Sequence, residues 1–176
     1  MISAKTAVEQ RPSAIILGCS DARVPVEMVF DQELGDLFVI RVAGNIVSPS
    51  QLGSVEFAAE RFGTRLVVVL GHTQCGAILG TLERLRQPDE PVFSPHTRFI
   101  GERIKPALAG LLTPGHDQDH DALVRACVRA NVRQSVEQLR RESKVLARLI
   151  ETDELLVVGA EYSLATGQVE FFDQRT

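Results

Sequence analysis

The sequence has no tryptophan, only three cysteines, and no C-x-x-C pair among its 176 residues. The missing C-x-x-C argues against a thiol-transfer protein, and Asp21 beside Cys19 would raise a thiol pKa unless Arg23 or a metal overrides it. Long apolar runs are also missing. The longest, such as Leu66–Leu70 and Leu155–Val158, fall far short of the roughly 20 residues that a membrane helix needs. A basic excess is missing too, since the net charge is -4, and clustered phosphate contacts want the opposite sign. Met1–Gln10 lacks the basic start and apolar stretch of a signal peptide. Together these absences predict a cytoplasmic protein with no membrane segment and no nucleic-acid partner. In that compartment three cysteines read as thiols or metal ligands rather than disulfide partners.

What is present fits one domain spanning 1–176, with 44% hydrophobic and 24% charged residues. Short apolar runs at Ala14–Leu17, Leu37–Val42, Leu66–Leu70 and Leu155–Gly159 read as buried strands. Thr166-Gly167 offers a turn before an edge strand at Gln168–Phe172. Helical spacing runs from Pro25 to Phe30, Gln51 to Phe62, Ala77 to Leu85, and, as one or two helices, Asp121 to Ile150. Gln87–Pro95 and Thr113–Asp121 read as loops or breaks. No internal repeat is visible. The alternation predicts an α/β fold with a mainly parallel sheet, four parallel strands plus an antiparallel edge strand, flanked by helices.

In such sheets ligands gather beyond the carboxyl ends of the strands. Two segments leave strands there: Gly18-Cys19-Ser20-Asp21-Ala22-Arg23 and Gly71-His72-Thr73-Gln74-Cys75-Gly76. If the strands are neighbours, Cys19, His72 and Cys75 converge. Thiolate and imidazole suit zinc, and three protein ligands leave a catalytic ion one further position. The same residues also fit two small buried thiols and a satisfied loop histidine, and the spacing alone leaves both readings open. Asp21 and Arg23 are either a polar turn with a weak surface ion pair or a working pair. Two thiolates cancel the charge of a zinc ion, so its water is acidified less than on three histidines. A carboxylate kept ionised by a paired guanidinium would then be a useful acceptor.

C-S-D-A-R followed by H-T-Q-C-G-A resembles the β-class carbonic anhydrases, whose signature is C-x-D-x-R with H-x-x-C-G. The resemblance runs from about Gln10 to Leu85 and returns near Leu155–Phe172. It implies one Zn2+ per chain on Cys19, His72 and Cys75, and reversible hydration of carbon dioxide to bicarbonate and a proton by zinc-bound hydroxide. Asp21 would orient that hydroxide and Arg23 would keep Asp21 charged. In some members this aspartate swings onto zinc and closes the site at low pH. The resemblance further implies a homodimer or dimer of dimers, with a narrow apolar cleft near the interface. Gln10, nine residues before the first ligand, matches a donor to bicarbonate. Phe38 and Phe57 match aromatic cleft walls, and Gly76 offers a backbone N–H at a helix start. Read without the family, Gln10 passes as a surface residue and the two phenylalanines as core.

Departures matter as well. Only 18 residues precede Cys19, so the N-terminal arm that wraps the partner in many members is expected to be short or missing. One subgroup binds regulatory bicarbonate beside a tryptophan three residues before the first ligand. Ile16 stands there, which implies bicarbonate binding at the metal alone. Relatives that hydrolyse carbon disulfide or carbonyl sulfide share the ligands. A zinc deaminase is set aside, because Thr73 and Gln74 follow His72 where that chemistry needs a glutamate two residues on. His116 and His120 are candidate proton shuttles, although exposed loop histidines rarely serve so. A zinc-bearing interaction module without catalysis is the remaining alternative.

Overall fold

Strand β1 (Ala14–Gly18) is buried along its whole length, which suits a strand covered on both faces. A computed structural model of the chain describes residues 9–87, 94–112, 119–152 and 154–172. The other strands are β2 (Leu37–Arg41), β3 (Leu66–His72), β4 (Leu156–Tyr162) and β5 (Val169–Phe172). They form one sheet in the order β2-β1-β3-β4-β5. The first four are parallel and β5 pairs antiparallel with β4. The expected sheet is therefore found, edge strand included. After β1 the chain first adds β2 on one side and later β3 on the other. That reversal makes a topological switch point between β1 and β3, the usual crevice for a ligand.

The helices are α1 (Val26–Val29), α2 (Pro49–Arg61), α3 (Gly76–Arg86), α4 (Pro95–Leu108), α5 (His120–Glu142) and α6 (Lys144–Glu151). Alternate strand residues face opposite layers. Ile15, Leu17, Val67 and Val69 pack with Val55 of α2, Val132 of α5 and Leu146 of α6. Ile16, Val68 and Leu70 pack with Val24 and Val26 on the other side. The 121–150 stretch resolves into two helices because Ser143 caps α6, accepting from the Leu146 N–H at 3.0 Å and donating to Glu56 at 2.6 Å. Pro95 opens α4 rather than closing a loop, a first-turn position that needs no N–H. The β4–β5 connection is longer than the Thr166-Gly167 turn, spanning 163–168 with Gly167 at φ 71°. The rest of the 88–93 and 113–118 breaks, with His116, lies outside the described residues.

Helix α5 can press on β3 only because Gly71 has no side chain. A Cβ there would lie 2.6 Å from Val132 Cγ2 and 3.1 Å from Val128 Cγ1. Both valines are buried in the core. Gly71→Ala is expected to destabilise the fold by about 1–3 kcal/mol through overpacking. Urea unfolding would read this as a lower midpoint, and an unchanged midpoint would contradict the close packing.

Candidate metal centre

His72 ends β3 and Cys75 stands at the N-cap position of α3, while Cys19 follows the last residue of β1. Because β1 and β3 are hydrogen-bonded neighbours, with Gly18 opposite Leu70, the two segments meet at the switch point. The three side chains are buried, and their donor atoms all lie within 4.8 Å of one another. The two sulfurs are 3.9 Å apart. Two thiolates on a tetrahedral zinc at 2.3 Å would sit about 3.8 Å apart, so the observed spacing fits such an ion. His72 Nδ1 meets the Thr73 carbonyl at 2.9 Å, which assigns the ring proton to Nδ1. Its Nε2, fully buried, has no hydrogen-bond partner among the described residues. A buried nitrogen lone pair with no donor is costly, and a cation is the partner it suits. The donor set therefore fits a soft divalent metal.

The two sulfurs titrate together. The Cys75 hydrogen bond holds the Cys19 thiol below the ordinary thiol range, and that same contact pushes Cys75 up. One thiolate forms easily and the second only with a cation to balance it. The Gly44 N–H also points at Cys19 Sγ, at 3.4 Å.

Asp21 lies at the rim, its Oδ2 3.8 Å from His72 Nε2. Arg23 grips it twice, Nε to Oδ1 at 2.9 Å and Nη2 to Oδ2 at 2.7 Å, and its backbone N–H adds a third bond at 3.0 Å. That guanidinium holds the Asp21 carboxyl well below the usual carboxylate range. Arg23 Nη2 also donates to the Gln74 carbonyl at 3.2 Å, tying the two ligand loops together. Arg41, which the sequence reading passed over, donates to the carbonyls of Cys19 at 2.9 Å and Asp21 at 2.6 Å. It fixes the path of the first loop from the neighbouring strand.

Gly76 and Ala43 end a groove of about 540 Å³ between α3 and α4. A Cβ on Gly76 would meet nothing within 4 Å among the described residues, and Gly76 lines that groove. Gln10, Phe38 and Phe57 are placed elsewhere. Phe38 pairs with Ile15 near the start of β2, three residues before Arg41. At about 3.3 Å per residue it lies about 10 Å down the sheet from the strand ends. Phe38, Phe57 and Phe62 stack as a ring cluster with centroids 5.6–6.3 Å apart. Phe57 is 52% exposed despite that company. Gln10 is exposed and borders a separate groove with Arg61 and Phe62. His120 begins α5 and is exposed.

An α/β sheet carries at its switch point a buried Cys-His-Cys group that could hold a metal ion, with a clamped Asp-Arg pair beside it. A family model described as carbonic anhydrase matches residues 14–169. The carbonic anhydrase of Mycolicibacterium smegmatis is 38% identical over 166 residues, covering 92% of this chain and 75% of its own. Carbonic anhydrase 2 of Mycobacterium tuberculosis is 35% identical over 167 residues, covering 95% and 77%. The Coccomyxa β-carbonic anhydrase, solved in complex with acetazolamide, superposes with a TM-score of 0.80 at 25% identity, over 96% of this chain and 75% of that one. One of two tetrameric β-carbonic anhydrases from Sordaria macrospora gives 0.84 at 23% identity, over 98% and 86%. The chain belongs to the β-carbonic anhydrase family of enzymes.

Proposed function

We propose that this chain is a zinc-dependent carbonate dehydratase, a single-domain enzyme that interconverts carbon dioxide with bicarbonate and a proton. The observation that carries this reading is the buried Cys19–His72–Cys75 group with an Arg-clamped carboxylate 3.8 Å from His72 Nε2. Those three residues would hold one zinc ion per chain. When bound, zinc supplies Lewis-acid chemistry and lowers the pKa of water at its open position. Asp21 Oδ2 accepts a hydrogen bond from the attacking water and so aims its lone pair at the carbon. Arg23 keeps that oxygen anionic and fixes its direction. The Gly76 N–H, at the start of α3, faces the oxygen on which charge develops.

Gln10, Phe38 and Phe57 serve the same reaction across a dimer. They lie away from their own metal centre, and the Phe57 ring, 52% exposed, offers apolar area that a second copy would cover. On one copy they would wall the cleft of a second and exclude water from it. The Sordaria relatives are described as tetrameric, which is compatible with a homodimer or a dimer of dimers. No helix among the described residues is long and apolar enough to cross a membrane, and cytoplasmic action is part of this proposal.

Stopped-flow hydration of carbon dioxide by the zinc-loaded protein tests the activity. Acceleration far above the buffer rate is expected. Stoichiometric zinc without acceleration would favour the non-catalytic interaction module. In the same assay added bicarbonate should inhibit along a simple hyperbola. Ile16 is buried in an apolar cluster with Val68 and Val158, where an anion would lack donors. A sigmoidal loss of activity would contradict this.

A further inference from the structure

The buried face of α5 repeats as Leu123, Val124, Cys127, Val128, Asn131, Val132, Ser135, Val136 and Leu139. Two polar residues interrupt this apolar stripe, and both are only 1% exposed. Each donates to the turn after β2. Asn131 Nδ2 reaches the Gly44 carbonyl at 2.8 Å, and Ser135 Oγ reaches the Asn45 carbonyl at 3.0 Å. That turn needs holding, because Gly44 and Asn45 both have left-handed backbones, φ 70° and 43°. Glycine adopts this backbone freely and asparagine more readily than other side chains, and the two bonds from α5 hold the pair in place. Gly44 itself has no room for a side chain, since a Cβ would lie 2.8 Å from Ile104 Cδ1 and 3.2 Å from Ala77 Cβ. The outcome of the turn is one N–H aimed at one sulfur, Gly44 N to Cys19 Sγ.

We propose that Asn131 and Ser135 are positioning residues for the metal centre: by gripping the Gly44 and Asn45 carbonyls they hold the Gly44 N–H on the Cys19 sulfur. This rests on the reading of Cys19, His72 and Cys75 as zinc ligands. An N–H donated to a thiolate withdraws charge from it, so the sulfur neutralises the metal less completely. A site with two thiolates gains from that, because its metal would otherwise be a weaker Lewis acid. Outer partners of this kind orient the ligands and tune the ion, and removing one typically costs roughly 10–100-fold in metal affinity.

The test uses the full chain with Asn131→Leu and Ser135→Ala, and Ser135→Thr as the conservative rescue. Zinc affinity is measured by chelator competition. The thiolate-to-metal charge-transfer band is measured after cobalt(II) loading, and thermal midpoints are taken without metal. Asn131→Leu is expected to weaken zinc binding about 10–100-fold because the ligand loop is no longer held in place, and to move the band to longer wavelength because the sulfur, without its N–H, is more electron-rich. Ser135→Ala should move both in the same direction by less, and Ser135→Thr should stand with the unaltered protein. A lowered midpoint with an unmoved band would overturn the proposal and leave the two residues a merely structural role. Wild-type affinity and band in both Asn131→Leu and Ser135→Ala would overturn it equally. Should Asn131→Leu fail to fold, Ser135→Ala decides alone. Absence of any thiolate band in the unaltered cobalt-loaded protein would strike the zinc reading instead, so the two failures are distinct.

Discussion

Cys75→Ala is expected to reduce bound zinc from about one ion per chain to little or none, and carbon dioxide hydration to the buffer rate. Cys19 and His72 supply two donors, too few to hold the ion against water, and no other cysteine or histidine among the described residues belongs to the group. The third cysteine, Cys127, is buried within the layer formed by α3, α4 and α5, yet outside the ligand set. Cys127→Ala should therefore keep its zinc, which separates position from thiol count. The loss at Cys75 should exceed the roughly 10–100-fold that removal of an outer partner costs. Metal uptake should also depend on pH in a defined sense. Without metal the Cys75 thiol is pushed up by its contact with Cys19 and by burial, so it is protonated at neutral pH. Binding must expel that proton, and zinc affinity should climb with pH and fall on acidification. Elemental analysis of the purified variants, with circular dichroism to show that they fold, checks the first claim. Full zinc occupancy in Cys75→Ala would remove this residue from the ligand set.

The legible parts of the fold were those written in one segment. The parallel strands are short runs dominated by apolar residues, and β1 is buried along its whole length, as a strand covered on both faces must be. The ligand loops were legible because parallel strands deliver their carboxyl ends to one edge. What escaped depends on residues distant in sequence. The Ser143 break between α5 and α6 is sustained by Glu56, 87 positions away. The Arg41 contacts to the first ligand loop arise from strand pairing, with Gly18 opposite Arg41. Asn131 and Ser135 could have been found, since the phase of the α5 stripe places both inward among valines and leucines. Two buried polar residues in an otherwise apolar face demand partners, and only the fold identifies those partners as the turn at Gly44. Gln10, Phe38 and Phe57 came from the family resemblance alone. Strand geometry separates Phe38 from its own metal centre, so a role for them in the cleft requires a second copy.

Asp21→Asn is expected to lower kcat/KM for carbon dioxide hydration by about 10²–10⁴-fold, the usual weight of a positioned acid or base, with zinc content unchanged. The amide has nearly the same shape, so the loop should keep its path. Asp21 also lies outside the Cys-His-Cys group, so the metal should stay. What changes is the chemistry at Oδ2. A carboxylate only accepts, whereas the amide must turn an NH2 either toward Arg23 or toward the water. Facing Arg23 it sets donor against donor where two N–H groups now grip an anion. Facing the water it removes the acceptor. Arg23→Ala is the informative companion. It leaves the carboxylate but removes both side-chain donors, so the Asp21 pKa rises back toward the ordinary carboxylate range. The group is still ionised near neutral pH, and the loss there should be smaller, limited to orientation and to the lost bond with the Gln74 carbonyl. The sign follows from the depressed pKa: the ion pair's contribution to stability is present above the ordinary carboxylate range and fades only as pH falls through the lowered folded value. Arg23→Ala should thus be more sensitive to mild acid than the unaltered chain. Stopped-flow rates from pH 5 to 9, with zinc measured on the same samples, order the two variants. Wild-type kcat/KM in zinc-loaded Asp21→Asn would take Asp21 out of the reaction and leave the Asp-Arg pair a clasp between the two ligand loops.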